Sequence, residues 1–287
     1  MLFKTYSHIK SIGPKTEKIL WSNGITDWDT FLRTENLPLS EGKKIFIKAS
    51  IIDSKIRLLQ KNGIYFTKHL QTNQHWRLFK EFKDSTVYLD IETTGLSPLY
   101  NKITTIATYD GNEIKYYVNG RNLDDFIEDI NKYSLIVTYN GKCFDVPFIE
   151  EYLKIRLNKA HIDLRYVLHS LGYSGGLKGC EKQFGLSRNE LEGVDGFMAV
   201  YLWIEYEKHK NDKALETLLA YNIEDVVNLE FLMHSAYNLK IKETPFESTC
   251  SLKIPERPEI PLRADVGIVK EYLKVNSSGV SIRVSLA

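Results

Sequence analysis

The stretch Val87-Tyr-Leu-Asp-Ile-Glu-Thr-Thr-Gly-Leu96 combines a strand pattern with two carboxylates. Its apolar and aromatic residues predict a strand over 86–92. Successive side chains on a strand point to opposite faces, so Asp90 and Glu92, two residues apart, project from the same face. Two neighbouring carboxylates can share one divalent cation. The polar outer face of an edge strand is the alternative interpretation.

A third carboxylate, Asp145, follows a predicted strand at 135–139 and the sharp turn at Asn140-Gly141. Asp145 starts a predicted helix whose N-terminal amides favour an anion, so it is either a helix cap or part of a metal site. Asn140 and Phe144 lie on the same turn and are candidates to hydrogen-bond and to stack on a nucleotide. A place in the core is the alternative for Phe144.

A fourth carboxylate, Asp225, lies four residues after Tyr221 in a predicted helix, so the two side chains share one face. Asp225 is a candidate metal ligand, and the Tyr221 hydroxyl is a candidate to position an attacking water. Because an unperturbed tyrosine has a pKa of about 10, orientation suits it better than the role of a base. A buried tyrosine hydrogen-bonded to a helical aspartate is the alternative. Glu224 points about 100° away from Asp225 and is the weaker ligand candidate.

The chemistry of this set of side chains indicates a class of metal. Four oxygen-donating carboxylates with few histidines or cysteines are typical of Mg²⁺ or Mn²⁺ rather than zinc. Proteins use a pair of such ions to cut phosphodiester bonds. The first interpretation of the chain is therefore a metal-dependent nuclease.

Strand and helix patterns alternate beyond residue 84. The β-branched and aromatic residues predict strands at 86–92, 103–109, 113–119, 135–139 and 160–164. Helical patterns are predicted over 124–133, 145–157, 196–209, 213–237 and 265–274. A strand meander followed by alternation predicts an α/β fold, a mixed sheet flanked by helices.

Composition divides the chain into three regions. Residues 1–83 carry 15 Lys/Arg against 7 Asp/Glu and form a small, basic, mostly helical region, within which 62–83 shows no regular pattern. Residues 84–240 carry 16 against 24 and form the predicted main domain. Residues 241–287 form a proline-containing tail that is predicted to pack on the core. The charge asymmetry suggests that the first region meets phosphate while the main domain holds metal; a solvated lysine-rich surface is the alternative.

Together, in this order, the three carboxylate segments resemble the DEDD superfamily of 3′→5′ exonucleases, in the branch with tyrosine in the third motif. The strings at 90–96, 140–148 and 221–226 resemble the proofreading domain of B-family DNA polymerases. Two further strings resemble the YprB-type group more specifically: Gly175-Gly-Leu-Lys-Gly-Cys-Glu-Lys and Leu191-Glu-Gly-Val-Asp-Gly-Phe. The resemblance covers about residues 84–240 and implies a ribonuclease H-like fold with two bound Mg²⁺ or Mn²⁺ ions.

The same resemblance implies roles for individual residues. The implied metal ligands are Asp90, Glu92, Asp145 and Asp225. Tyr221 is implied to orient the nucleophilic water. The positions that match those holding the 3′-terminal nucleotides are Thr93, Leu96, Asn140 and Phe144. Asp163, in the last predicted strand, either supports the site from outside or has a structural role.

Residues 9–18, Ile-Lys-Ser-Ile-Gly-Pro-Lys-Thr-Glu-Lys, resemble a helix-hairpin-helix element, which implies contact with the DNA backbone. Amides near a helix N-terminus bind phosphate, and positive charge is added by Lys10, Lys15 and Lys18. Ser11 departs from the pattern because it stands where the first turn glycine is expected. A simple helical packing module is the alternative. Trp21 and Trp28 are expected in the core.

The leading functional hypothesis is a 3′→5′ exonuclease that degrades single-stranded DNA to nucleoside 5′-monophosphates. An RNA exonuclease, a structure-specific endonuclease and a non-catalytic nucleic-acid-binding module are the alternatives. Cys143, Cys180 and Cys250 form neither a disulfide framework nor a zinc motif. No apolar run approaches the roughly 20 residues that span a membrane, and no signal peptide is recognised, so we expect a cytoplasmic protein that does not enter a membrane.

Overall fold

A five-stranded mixed sheet forms the centre of the computed structural model, which describes residues 1–37 and 39–277. The strands are β1 Thr86–Thr93, β2 Ile103–Tyr109, β3 Ile114–Val118, β4 Leu135–Thr138 and β5 Ala160–Asp163. Their order in the sheet is β3-β2-β1-β4-β5. The first three strands form an antiparallel meander, and β4 and β5 run parallel to β1. The predicted α/β class is confirmed, and each predicted strand is present.

Helices cover the sheet and make up most of the rest of the described chain. The α-helices are α1 Pro14–Ser22, α2 Trp28–Arg33, α3 Glu41–Leu59, α4 Gly63–His69, α5 Phe79–Phe82, α6 Asp125–Asp129, α7 Asp145–Tyr152, α8 Leu164–His169, α9 Gly176–Gln183, α10 Gly196–His209, α11 Asp212–Lys242, α12 Glu247–Cys250 and α13 Val266–Ser277. Short 3₁₀ segments join several of them.

Two sequence predictions about helices were wrong. Residues 62–83 are not irregular, since they contain α4, a 3₁₀ helix over Thr72–Leu78 and α5. These pieces are too short to show a sustained helical period, and the Asn62 side chain starts α4 by accepting a hydrogen bond from the Tyr65 amide. The helix predicted over 145–157 ends at Tyr152, because Lys154 takes a left-handed backbone conformation with φ 55°.

The two faces of β1 contact different halves of the core. Val87, Leu89 and Ile91 pack with Phe126 of α6 and Phe148 of α7. The alternate side chains, beginning with Tyr88 and including Asp90 and Glu92, lie on the face toward α11. The prediction that both carboxylates project from one face of a strand therefore agrees with the fold. One face of this strand stabilises the domain, and the other presents its polar groups to a buried helix.

The long helix α11 positions the second half of the site. It has 31 residues, and most of those from Ala214 to Ile241 are buried. A helix that is covered nearly all round belongs to the interior of a domain. Its N-terminal half packs against α10, while its C-terminal half contacts Trp76 and Phe79 of the 1–83 region. The buried polar side chains of α11 are therefore held in place by packing on several sides.

Residues 1–83 pack into the same hydrophobic cluster as the sheet and α11. Trp21 and Trp28 are buried there, as predicted. Before α1 the chain forms one 3₁₀ turn over Leu2–Lys4 and then a series of turns, so no α-helix precedes the turn of the helix-hairpin-helix-like element. Ser11 nevertheless adopts the left-handed conformation of a turn glycine, with φ 72°.

The tail returns to the main domain through α13. Val269 and Tyr272 are buried against residues of α10 and α11. The helix starts where the Asp265 carboxylate accepts hydrogen bonds from the amides of Gly267 and Ile268, at 2.8 and 3.1 Å. The predicted helix at 265–274 is thus present.

Candidate active site

Asp90 and Glu92 lie near the C-terminal end of β1, the central strand of the sheet. They stand opposite Ala107 and Thr105 of β2, and both are half-buried. The register shifts directly after Glu92, and the chain then leaves the sheet through Thr94. The regular pairing of β1 with β2 is therefore interrupted next to the two carboxylates.

Asp225 of α11 completes a cluster with these two side chains. One carboxylate oxygen from each of Asp90, Glu92 and Asp225 lies within 4.8 Å of the others. Asp145 is the first residue of α7 and lines the same cleft, a space of about 370 Å³. Although Asp145 starts a helix, it is buried at the cleft rather than exposed at a solvent-facing cap. The fold thus brings all four sequence-predicted carboxylates to one cleft.

The electrostatics of this cleft favour the uptake of positive charge. Burial, together with the neighbouring Asp225, holds the pKa of Asp90 and of Glu92 well above the usual carboxyl range. Burial also raises the pKa of Asp145 to about 7. Carboxylates crowded in this way repel one another until a cation binds or a proton is taken up. The donors are all hard oxygen atoms, which fits Mg²⁺ or Mn²⁺.

Two cationic side chains border the carboxylates. Arg188 is buried and forms a two-pronged ion pair with Glu181, with both nitrogen–oxygen distances at 2.7 Å, and it also contacts Asp225. Its Nη1 atom is buried without a hydrogen-bond partner among the described residues. Lys178 donates a hydrogen bond to the Val194 carbonyl and also lines the cleft. Arg188 therefore links Asp225 of the cluster to Glu181, a buried carboxylate outside the cluster.

Tyr221 lies one helical turn before Asp225 and lines the same cleft. Burial, followed by the charges of Asp225 and Glu92, raises the pKa of the phenol above its ordinary value. The Lys178 ammonium and the Arg188 guanidinium lie 4.9 and 5.4 Å from the centre of its ring. A phenol that stays protonated can donate a hydrogen bond but cannot act as a base. Its chemistry suits orientation of a water or a phosphate oxygen.

Hydrogen bonds hold the carboxylate-bearing elements together. Asn222 of α11 donates to Asp90 Oδ2 at 2.7 Å and accepts from the Thr105 hydroxyl at 2.9 Å, which joins β1, β2 and the helix. Asp163, at the end of β5, accepts from the amides of Asn140, Lys142 and Arg165 at 2.8 to 3.1 Å. Asp163 therefore fixes the turn that precedes Asp145, which is a structural role.

The remaining predicted site residues are spread more widely. Asn140 and Phe144 line the cleft, and the Asn140 side chain accepts a hydrogen bond from Arg165. Thr93 is buried and donates to the Gly95 carbonyl at 2.7 Å. Leu96 is 86% exposed. Lys15 is exposed on α1 and is not one of the described residues that line the cleft.

Sequence reasoning did not name Lys178, Arg188 or Asn222 as site residues. Lys178 lies within the Gly175-Gly-Leu-Lys string, whose two glycines have positive φ values and let the chain turn at the cleft. That string was a usable signal. Asn222 could have been found as the polar residue that directly follows Tyr221 in the third motif. Arg188 follows a turn, and nothing in the local sequence indicates that its side chain reaches Asp225.

The family of the chain follows from a sequence comparison. The model of the RNase_H superfamily matches residues 87–237, which is more than half of the 287 residues. The chain belongs to this superfamily. The matched region begins in β1, ends in α11 and contains all four carboxylates. No curated protein matches the chain in sequence.

Among solved structures, the chain is similar to the family B DNA polymerase from the hyperthermophilic archaeon Pyrobaculum calidifontis. The identity is 19% and the TM-score is 0.41, with 58% of this chain and 27% of the polymerase covered. The chain thus spans about a quarter of the length of that polymerase. In the described residues, no helix is both long enough and apolar enough to cross a membrane.

Membership of the superfamily and the acidic cluster together support nuclease activity that depends on divalent metal and acts on nucleic acid.

Proposed function

We propose that this protein is a metal-dependent 3′→5′ exonuclease that degrades single-stranded DNA to nucleoside 5′-monophosphates. The observation that carries the proposal is the convergence of Asp90, Glu92, Asp145 and Asp225 in one cleft with Tyr221 beside them. A structural cluster of acids would have no need of a tyrosine at this point or of an open cleft.

The four carboxylates would hold two Mg²⁺ or Mn²⁺ ions. Such ions, when bound, supply an activated water and charge stabilisation at the scissile phosphate. Tyr221 keeps its proton because of burial, so its hydroxyl donates a hydrogen bond that aims the water. Asn222, which also accepts a hydrogen bond from Thr105 of β2, holds Asp90 in place. Arg188, which is paired with Glu181 of α9, holds Asp225. Asn140 and Phe144 line the part of the cleft in which a terminal nucleotide would stack.

The basic N-terminal region supports DNA as the substrate. Lys10, Lys15 and Lys18 are exposed around the start of α1. The first amides of a helix have no partner within it, and they attract phosphate. We propose that this segment contacts the backbone of DNA whose 3′ end enters the cleft. Such contacts are sensitive to salt, because each neutralised phosphate releases counterions.

The proposal is tested on single-stranded DNA and RNA oligonucleotides labelled at the 3′ or 5′ end, and on a circular DNA, each with Mg²⁺, Mn²⁺ or chelator. We expect immediate release of the 3′ label as a mononucleotide, a ladder from the 5′-labelled DNA, and an intact circle. If linear DNA and RNA both survive with metal present, the proposal fails. Faster RNA degradation would reassign the substrate, and cutting of the circle would indicate an endonuclease.

Variants locate the activity in the cleft. Asp90→Ala and Asp225→Ala should each lower the rate about a thousandfold or more, because each removes a carboxylate proposed to hold the metal. Tyr221→Phe should lower it about 10- to 100-fold while metal still binds. The matched control is Asp125→Ala, an exposed aspartate on α6 across the sheet, which should leave the rate unchanged. An unchanged rate in Tyr221→Phe would contradict the orienting role.

A further inference from the structure

Helix α3 has apolar residues on two opposite sides. Its inner side faces the core and consists of Ile47, Ile51, Ser54 and Leu58, all of which are buried. A second set, which we name the outer stripe, points away from the core and consists of Ile45, Ala49, Ile52, Ile56 and Leu59. The exposed fractions of its four large side chains are 69, 52, 47 and 84%. Surface helices ordinarily place polar residues on the side opposite the core.

The spacing within the outer stripe is regular. Successive members are separated by four, three, four and three residues, which is the pattern along which two helices pack knobs into holes. In heptad notation Ala49 and Ile56 occupy a positions, whereas Ile45, Ile52 and Leu59 occupy d positions. Scattered exposed apolar residues need no explanation, but a contiguous stripe of this kind marks an interaction site.

We infer that the outer stripe binds the same stripe of a second copy of this chain, with the two α3 helices parallel. An identical surface on both partners is what a two-fold symmetric dimer requires. The stripe covers only two heptads, which is short for a coiled coil. The dimer is therefore expected to be reversible, with a dissociation constant in the micromolar range.

The charges that flank the stripe favour this partner and this direction. Lys48 lies at a g position and Asp53 at the next e position, on opposite sides of the stripe. In a parallel pair, Lys48 of each copy meets Asp53 of the other, which gives two attractive contacts. In an antiparallel pair, Lys48 would instead face Lys55 of the other copy. Lys55 pairs with Asp29 of its own copy at 2.6 Å, so Lys48 would gain no attractive contact there. Within one copy Asp53 pairs with Arg57 at 3.1 Å, an exposed contact that constrains it little.

The first experiment measures the mass of the full chain in solution, by light scattering or sedimentation, over about 1–100 µM. We expect a shift toward twice 33.2 kDa as concentration rises. Ile52→Glu should stay monomeric with an unchanged circular dichroism spectrum, since this side chain is not part of the core. Phe197→Glu is the matched control: its apolar side chain is 81% exposed on α10 outside the stripe, and it should dimerise normally. A wild-type monomer throughout, or an Ile52→Glu dimer, overturns the proposal.

The second experiment tests the direction of the helices with charge reversals. Lys48→Glu and Asp53→Lys, each alone, place like charges opposite each other in the parallel dimer and should weaken it about tenfold. An equimolar mixture of the two variants restores both attractive contacts and should form a heterodimer. If Lys48→Glu alone dimerises more tightly than the wild type, the introduced carboxylate is pairing with Lys55 and the parallel arrangement is wrong. A mixture that dimerises no better than either variant overturns it as well.

Discussion

Two regions of this molecule hold buried or half-buried carboxylates under opposite conditions. In the N-terminal region, Glu17 is 1% exposed and accepts hydrogen bonds from the amides of Tyr6 and Ser7 at 2.6 and 3.0 Å. Arg77 meets the same carboxylate with two nitrogen atoms, at 3.1 and 2.9 Å. The charge of Glu17 is thus balanced and its oxygen atoms are fully engaged.

The cleft treats its carboxylates differently. Asp90, Glu92, Asp145 and Asp225 share one space, and a cationic side chain, Arg188, contacts one of them, Asp225. Burial is the chief cause of their raised pKa values, and for Asp90 and Glu92 the charges of the neighbouring carboxylates add to it. A carboxylate with a complete set of partners stabilises the fold. A carboxylate without them is destabilising until it binds a cation or a proton.

The largest change in the free energy of unfolding is expected when the ion pair between Arg77 and Glu17 is broken. Arg77→Met leaves Glu17 buried without its cation, so the free energy of unfolding should fall by about 3–5 kcal/mol. Chemical denaturation followed by fluorescence measures this loss. Two of the four tryptophans, Trp21 and Trp76, report on this site directly, because their rings lie 5.8 and 5.3 Å from the Arg77 guanidinium.

The matched control for that variant is an exposed ion pair. Arg156 is 78% exposed and contacts Glu150 at 2.8 Å, so Arg156→Met should cost less than about 1 kcal/mol. Equal losses in the two variants would mean that the Glu17 pair contributes no more than a surface contact, and the proposed contrast between the regions would disappear.

The side chains of the cleft could largely be predicted from the sequence, because the relation between several of them is local. Asp90 and Glu92 share a face through the alternation of a strand, and Tyr221 and Asp225 share one through the turn of a helix. Their order along the chain matched a known pattern. Burial of Asp145 at the cleft, rather than at a solvent-exposed helix cap, was left open, because it depends on how α7 meets the sheet.

The partners of these side chains were harder to predict. Arg188 reaches Asp225 across 37 residues, and Arg77 reaches Glu17 across 60. Contacts at such separations are set by tertiary packing and leave no periodic signal in the sequence. The short helices between residues 62 and 83 escaped prediction for a related reason, since packing against the core stabilises them rather than a long amphipathic pattern.

A smaller effect, of opposite sign, is expected in the cleft. Burial raises the pKa of Asp145 to about 7, so the folded protein holds a proton that the unfolded chain releases at lower pH. Without metal, the free energy of unfolding should therefore fall as pH rises from about 4 to 7. Asp145→Asn removes this penalty, which is at most about three pKa units at about 1.4 kcal/mol each, and should stabilise the metal-free protein by about 2–4 kcal/mol at pH 8.

The measurement is denaturation in chelator at pH 5.5 and pH 8, repeated with Mg²⁺ or Mn²⁺. Added metal should stabilise the wild type, because it binds the folded state alone, and should stabilise Asp145→Asn less. If the variant is less stable than the wild type at pH 8 in chelator, the charge of Asp145 is compensated by protein groups, as that of Glu17 is, and the expected penalty is absent.

The smallest effect concerns the hydrogen bond from Asn222 to Asp90. Like the partners of Glu17, Asn222 holds a carboxylate in one orientation. Asn222 is buried and bridges Asp90 to Thr105, so Asn222→Ala should cost about 1–2 kcal/mol of stability. It also frees Asp90 to turn away, so metal affinity, measured by calorimetric titration, should fall about tenfold. Thr105→Val removes the other end of the bridge and should cost similar stability with a smaller loss of affinity. Equal losses of affinity would show that Asn222 acts through the fold alone, whereas a selective loss in Asn222→Ala shows that the cleft, too, depends on a carboxylate that is held in one orientation.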